Sequence, residues 1–288
     1  MRSKLFVPGV RPELFAKALA GEADALSLDL EDSVPESRKQ EAREQVAAFV
    51  QTAAVRDSAK LMVVRVNALD TPHLQADLDA VARSGVDLIN LPKVESAQQV
   101  LEAVSMLERA EAANGLTRPI GLLLTIETPR GLRHAAAIAS AHPRVAGLQV
   151  GLADLFEPFG IDRRDAANVH STLFAVRMAA AEAGVFAWDA AFAGIGDAAG
   201  FQAEAAMARR LGYVGKTCIH PTQVALANAA FLPDANEIAA ARRIVAAAGQ
   251  ADNAGRGAFL VDGRMVDLPF LKRAQALLAS VDSSPSQS

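Results

Sequence analysis

The chain has 288 residues, 51% of them hydrophobic and 22% charged, which is ample for a sizeable core and fits one large α/β domain as well as two small ones. A net charge of −4 with no long basic stripe argues against a nucleic-acid partner, although local Lys and Arg leave phosphate-bearing small molecules open. The single cysteine, Cys218, excludes an intramolecular disulfide and suits a reducing compartment. The N-terminal apolar run is too short for a signal peptide, and no charge-free apolar stretch approaches the ~18 residues of a membrane span. These features predict a cytoplasmic protein with no membrane partner.

Leu5-Phe6-Val7 reads as a short strand closed by Pro8-Gly9, and a helical pattern follows from Pro12 to Ala20. Ala25–Asp32 is a second strand ending in acids. The polar stretch Ser37–Gln51 reads as an exposed helix that turns Val46, Phe49 and Val50 inward. Leu61–Asn67 is a β-branched third strand; Thr71-Pro72 then reads as a cap with proline at the first helical position, and Gly85 as that helix's stop.

Leu88–Val94 is the fourth strand, with a helix from Ser96 to Asn114 behind it. The fifth, Leu122–Glu127, stops on an acid before a second cap-plus-proline pair, Thr128-Pro129, which opens a helix to Ala141. The sixth, Gly147–Asp154, also ends on an acid. A helix from Asn168 to Ala183, a seventh strand Val185–Asp189, a helix capped by Asp197, and an eighth strand Lys216–Pro221 complete the series.

Eight strand-plus-helix units in a row predict a (β/α)8 TIM barrel, a fold of about 250 residues, over residues 1–222. A doubly wound open sheet is the competing architecture, but no glycine-rich dinucleotide loop follows the first strand. Residues 223–282 read as a helical extension with a hairpin turning at Asp262-Gly263, and are expected to dock on the barrel or on a neighbouring subunit. Residues 283–288 read as a disordered tail.

In such a barrel the active site lies at the C-terminal ends of the strands, so the polar residues that close them are the candidates. They are Glu31 with Asp32, Arg65, Lys93, Glu127, Asp154, Asp189 and His220. Carboxylates crowded on one rim repel unless a cation sits among them, which favours Glu127 and Asp154 as ligands of a hard divalent metal over two solvated strand ends. Arg65, in an otherwise apolar strand, must find a partner or line a cavity; facing the mouth, its fork suits a carboxylate or an enolate. Lys93 reads either as a Schiff-base nucleophile or, more ordinarily, as a partner of nearby acids. His220 reads either as a base or, more ordinarily, as a buried, hydrogen-bonded rim residue, and Cys218 as inert core.

The motifs RSKLFVPG, LDLEDSV, VVRVN, LPKVES, TIETPRG, GLADL, CIHP and GRMVDLP, spanning residues 2 to 268, resemble in order and spacing the citrate lyase β-subunit-like, or HpcH/HpaI aldolase, family. The resemblance implies a Mg2+-dependent lyase that cleaves or forms a carbon–carbon bond in 3-hydroxyacyl thioesters such as malyl-CoA or citramalyl-CoA, yielding acyl-CoA and a 2-oxo acid. It implies Glu127 and Asp154 as metal ligands, Arg65 and Glu127 at the substrate, and Asp267 as a catalytic residue reaching a neighbouring subunit's site in a homotrimer or dimer of trimers. Asp29, Glu31 and Asp32 would hydrogen-bond metal-bound water, and Arg2 and Arg11 are candidate CoA contacts. Two alternatives stay open: a citrate lyase β subunit acting on citryl-acyl carrier protein, and a malyl-CoA thioesterase. A non-catalytic binding protein is disfavoured by the presence of all four site residues, Arg65, Glu127, Asp154 and Asp267.

Overall fold

Runs of Leu, Val and Ile such as Gly121–Ile126 are apolar at nearly every position because a parallel strand between helices is buried on both faces. Eight such strands close into one parallel barrel in chain order in the computed structural model, which describes residues 1–253 and 257–282. They are β1 (Ser3–Pro8), β2 (Ala25–Asp29), β3 (Leu61–Arg65), β4 (Leu88–Leu91), β5 (Gly121–Ile126), β6 (Val145–Val150), β7 (Phe186–Asp189) and β8 (Gly215–Cys218). Closure is made by β1 against β8, with Lys4 opposite Thr217, while Asp29 and Arg65 are register partners at the ends of β2 and β3. The TIM-barrel expectation holds.

The helices between the strands follow the caps that the sequence advertises in most places. Thr128 accepts the Gly131 N–H with Pro129 at the first helical position, and Asp197 accepts the Gly200 N–H. Thr71-Pro72 is the exception. Thr71 instead donates its hydroxyl to the Ala68 carbonyl in a turn, and the helix begins at Leu74 and ends at Val81, well short of Gly85. The helix expected to reach Ala141 breaks at His134 into Pro129–Arg133 and Ala135–Ala139.

The barrel interior is more polar than the strand pattern suggests. Lys4 on β1 hydrogen-bonds Gln149 on β6 and lies 5.4 Å from the ring centre of Trp188 on β7, strands not adjacent to its own. Those three side chains therefore point inward. Lys4 is fully buried with no carboxylate among the described residues against its amine, and burial, then Arg65, pushes the amine well below the usual lysine range. The unfolded chain binds that proton at neutral pH and the folded chain resists it, so folding stability rises with pH toward the free-lysine value. Lys4→Met is accordingly expected to stabilise the protein at pH 7 by about 1–3 kcal/mol, with the gain shrinking toward pH ~10. Urea unfolding across that range checks it; a variant less stable than the parent at every pH contradicts it.

The chain divides into two compact units, with the first running from Met1 to Phe231 and the second beginning at Leu232. The helix Pro221–Ala230 thus belongs with the barrel. The second unit holds the helices Ala235–Asn253 and Leu268–Asp282 and the antiparallel hairpin β9 (Phe259–Val261) and β10 (Arg264–Val266). Asp262 and Gly263 both take positive φ (51° and 76°), the geometry a two-residue hairpin turn requires. The tail expected to be disordered, 283–288, lies outside the described residues.

Candidate active site

At the C-terminal ends of β2 and β3 an arginine and an aspartate lock together. The Arg65 fork donates from Nε to Asp29 Oδ1 (2.7 Å) and from Nη2 to Asp29 Oδ2 (2.8 Å), and its guanidinium lies 4.7 Å above the Phe6 ring centre. Asp29 is itself pinned by the backbone N–H groups of Glu31 and Ser33. The remaining Arg65 nitrogen, Nη1, sits 2.8 Å from Glu31 Oε2 and 3.4 Å from Asp32 Oδ2. Burial alone would weaken the arginine's hold on its proton, but Asp29, then Glu31 and Asp32, raise it above its ordinary value. Arg65 is a fixed cation at the mouth.

Lys93, just past β4, faces two acids. Its Nζ donates to Glu31 Oε1 at 2.9 Å, and its backbone N–H donates to Glu127 Oε1 at 2.8 Å. Burial works against its charge, but the hydrogen bond to Glu31 and the charges of Glu31, Asp32 and Glu127 together outweigh it and hold the ammonium above the usual lysine range. A Schiff-base nucleophile needs a neutral amine, so the pairing reading of Lys93 is the one the geometry favours.

Glu127 follows β5 and is 4% exposed. Burial, then the charges of Glu31 and Asp154, push its carboxyl up to about 8. The chain makes room for it with Gly151, where a Cβ would stand 2.3 Å from Glu127 Oε2. Asp154 corrects the expectation of a strand-ending acid. β6 stops at Val150, the Gly151 carbonyl accepts the Leu155 N–H at 3.2 Å, and Asp154 falls in the first turn of the short helix Leu152–Phe156. In that turn Leu152, Leu155 and Phe156 are buried while Asp154 is exposed.

The two carboxylates fit a hard divalent cation. They are oxygen donors, one is pushed toward protonation by burial and then by the charges of Glu31 and Asp154, and Gly151 makes the room that its carboxylate fills. Among the described residues no group of three or more His, Cys, Asp or Glu is arranged to hold a metal. A cation here would therefore keep water and substrate oxygens in its shell, as small hard cations do.

Other predicted rim residues fall elsewhere. Asp189 is fully buried and receives Lys216 Nζ at 2.6 Å; Lys216 also donates to Glu204 (2.7 Å), which Arg163 holds from the loop after β6. His220 is exposed, not buried, and caps the helix Pro221–Ala230 by accepting the Thr222 N–H. Cys218 is core, its thiol pushed up to about 12 chiefly by burial. Arg2 precedes β1, on the face opposite the mouth, where Asp24 engages both its Nε (3.0 Å) and Nη2 (2.9 Å); it is not brought to the site. Arg11 lies on the mouth side, exposed and paired with Glu13. Asp267 belongs to the second unit, directly after β10, with a buried Oδ1 that has no hydrogen-bond partner among the described residues.

A closed parallel barrel whose C-terminal rim gathers an arginine and several carboxylates is the architecture of a TIM-barrel enzyme. Residues 2–221 match the family described as HpcH/HpaI aldolase/citrate lyase, and the chain belongs to that family. It is 38% identical to the citrate lyase subunit beta of Escherichia coli (strain K12), over 98% of this chain and 94% of that protein. It is 34% identical to the L-malyl-CoA/beta-methylmalyl-CoA lyase of Cereibacter sphaeroides (strain ATCC 17025), again over 98% and 94%. Among solved structures, CitE of Mycobacterium tuberculosis in complex with magnesium, acetoacetate and coenzyme A superposes with a TM-score of 0.77, 34% identity and 98% coverage of both chains. The chain is an enzyme of the carbon–carbon lyase class. Among the described residues, no helix is long and apolar enough to cross a membrane.

Proposed function

We propose that the protein is a Mg2+-dependent lyase that splits a 3-hydroxyacyl-CoA thioester such as malyl-CoA or citramalyl-CoA into an acyl-CoA and a 2-oxo acid, or runs the condensation. The observation that carries this reading is the buried Glu127 carboxyl, crowded by Glu31 and Asp154, at a mouth that also holds the fixed charge of Arg65. Similarity to CitE bound to magnesium, acetoacetate and coenzyme A supports both the metal and a coenzyme A-bearing substrate. Glu127 and Asp154 would hold the magnesium, which when bound supplies Lewis acidity to the oxygens of the oxo-acid half.

The chain's own groups then divide the work. In cleavage the carbinol hydroxyl gives up its proton to water at the mouth, its oxygen becomes the new oxo group, and the electron pair of the broken carbon–carbon bond passes to the acyl-CoA enolate. Arg65 stabilises the negative charge that develops on oxygen, held in aim by Asp29. Asp267 delivers a proton to the enolate carbon, or removes one from it in condensation. In this reading the second unit docks on the barrel or on a neighbouring subunit of a homotrimer or dimer of trimers, so that Asp267 meets a mouth. Arg11, on the mouth side, remains the candidate CoA contact.

Citrate lyase β activity is the second reading, favoured by the 38% identity to that subunit. Assaying the purified chain alone on malyl-, citramalyl- and citryl-CoA separates the two: turnover on the first pair and none on the third supports the stand-alone lyase. Free hydroxy acid in place of oxo acid would instead identify a thioesterase. Asp267→Asn is expected to slow α-proton exchange on the acyl-CoA product by about 10²–10⁴-fold. Exchange at the parent rate, followed by NMR in deuterated water, would remove Asp267 from the reaction.

A further inference from the structure

Two described residues other than glycine adopt positive φ. Asp262 does so in the hairpin turn, where the turn type demands it. Lys93, at φ 54°, stands in no such turn. A left-handed backbone is strained for any residue with a Cβ and free of strain for glycine, so a lysine at this position points to a side chain whose contacts offset the strain. Both of its polar ends are used: the amide on Glu127 Oε1 and the ammonium on Glu31 Oε1. The segment is wedged from outside as well, since a Cβ on Gly131 would come within 2.5 Å of the Val94 carbonyl oxygen.

We propose that Lys93 is a positioning residue with two separable roles. Its left-handed backbone turns the amide onto one oxygen of Glu127, which sets the other oxygen against Gly151. Its ammonium neutralises Glu31, keeping that carboxylate on Arg65 and away from the cation that Glu127 and Asp154 would hold. The inference rests on the magnesium-lyase reading above and adds a residue to it.

The geometry allows the roles to be tested apart. Lys93→Gly keeps the amide and relieves the backbone while deleting the charge; Lys93→Met deletes the charge and keeps the strain; Lys93→Arg keeps both charge and strain. Three readouts apply to each full-length protein: the magnesium dissociation constant by calorimetry, Tm, and kcat on the CoA thioester that the parent cleaves. The expected pattern for Lys93→Gly is a Tm above that of Lys93→Met, magnesium affinity no weaker than the parent's by more than about threefold, and kcat lower by about 10–100-fold. Lys93→Arg is expected to recover most of that kcat.

Parent-like kcat in Lys93→Gly overturns the side-chain role. A kcat loss that Lys93→Arg does not recover, with Tm falling in step, reduces the lysine to a structural part. Magnesium affinity lost in Lys93→Gly contradicts the assignment of the amide to Glu127. If the parent itself neither binds magnesium nor turns over, the functional reading has failed and the inference falls with it, a result visible before any variant is made.

Discussion

Glu127→Gln is expected to lower magnesium-dependent turnover by at least about 10³-fold, because it removes a charged ligand while keeping the shape of the side chain. The same substitution has a signature that needs no substrate. In the magnesium-free protein the Glu127 carboxyl, buried and repelled by Glu31 and Asp154, is pushed up to about 8. Unfolded, it titrates near the free-glutamate value of about 4.3. Between those two pH values the folded chain binds the proton and the unfolded chain does not. The carboxyl therefore costs stability as pH rises through that window, and the cost is full above about 8.

Magnesium must displace the same proton, so affinity should climb with pH up to about 8 and then level off, with proton release on binding below that point. Calorimetric titration in buffers of different ionisation heat measures the released proton directly. Glu127→Gln should abolish the release and remove the fall in metal-free stability that Glu127 contributes between about pH 4.3 and about 8. Full parental turnover in the presence of a chelator would sink the metal assignment altogether.

The barrel and its rim were legible in the sequence for one physical reason. Strands buried on both faces are short apolar runs, and each ends where the chain must turn back through solvent, so a polar residue at that point stands out. Arg65, Glu127 and the acids after β2 were found this way. Asp154 was found but misplaced, because Val150 passes into Gly151 and Leu152 with no break in apolar character, and only the backbone geometry distinguishes the strand from the helix after it.

Interior polarity was harder to see. Lys4 alternates with Leu5 in a run that reads as an ordinary strand, and its partner Gln149 is far away in sequence. The Lys216–Glu204–Arg163 cluster joins a strand, a helix and a loop, a pairing that no local pattern encodes. Arg2 misled because a motif preserves spacing and says nothing of which end of a strand a residue occupies. His220 misled for a related reason: a histidine before proline can close a buried strand or cap an exposed helix, and here it caps.

Arg65 offers the second large effect, and it separates charge from shape. Arg65→Lys keeps one positive charge but cannot donate two parallel bonds to Asp29, nor reach Glu31 from the same rigid plane. The expected result is a fall in kcat of about 10²–10³-fold with the fold intact. Arg65→Met leaves Asp29 and Glu31 without their shared cation in a buried setting, and should also destabilise the chain by about 3–5 kcal/mol, measurable by urea unfolding. Asp29→Asn supplies the control, since its amide oxygen can still accept from the guanidinium. If Asp29 only aims Arg65, this variant should retain more activity than Arg65→Lys. Parent-like kcat in Arg65→Lys would mean that the site needs a nearby positive charge and not the fork, and would transfer the oxyanion role to another donor at the mouth. The double variant Asp29→Asn with Arg65→Lys then decides whether the two residues act as one unit. A combined loss no larger than that of Arg65→Lys alone is the outcome expected of an aspartate whose contribution passes entirely through the arginine it holds.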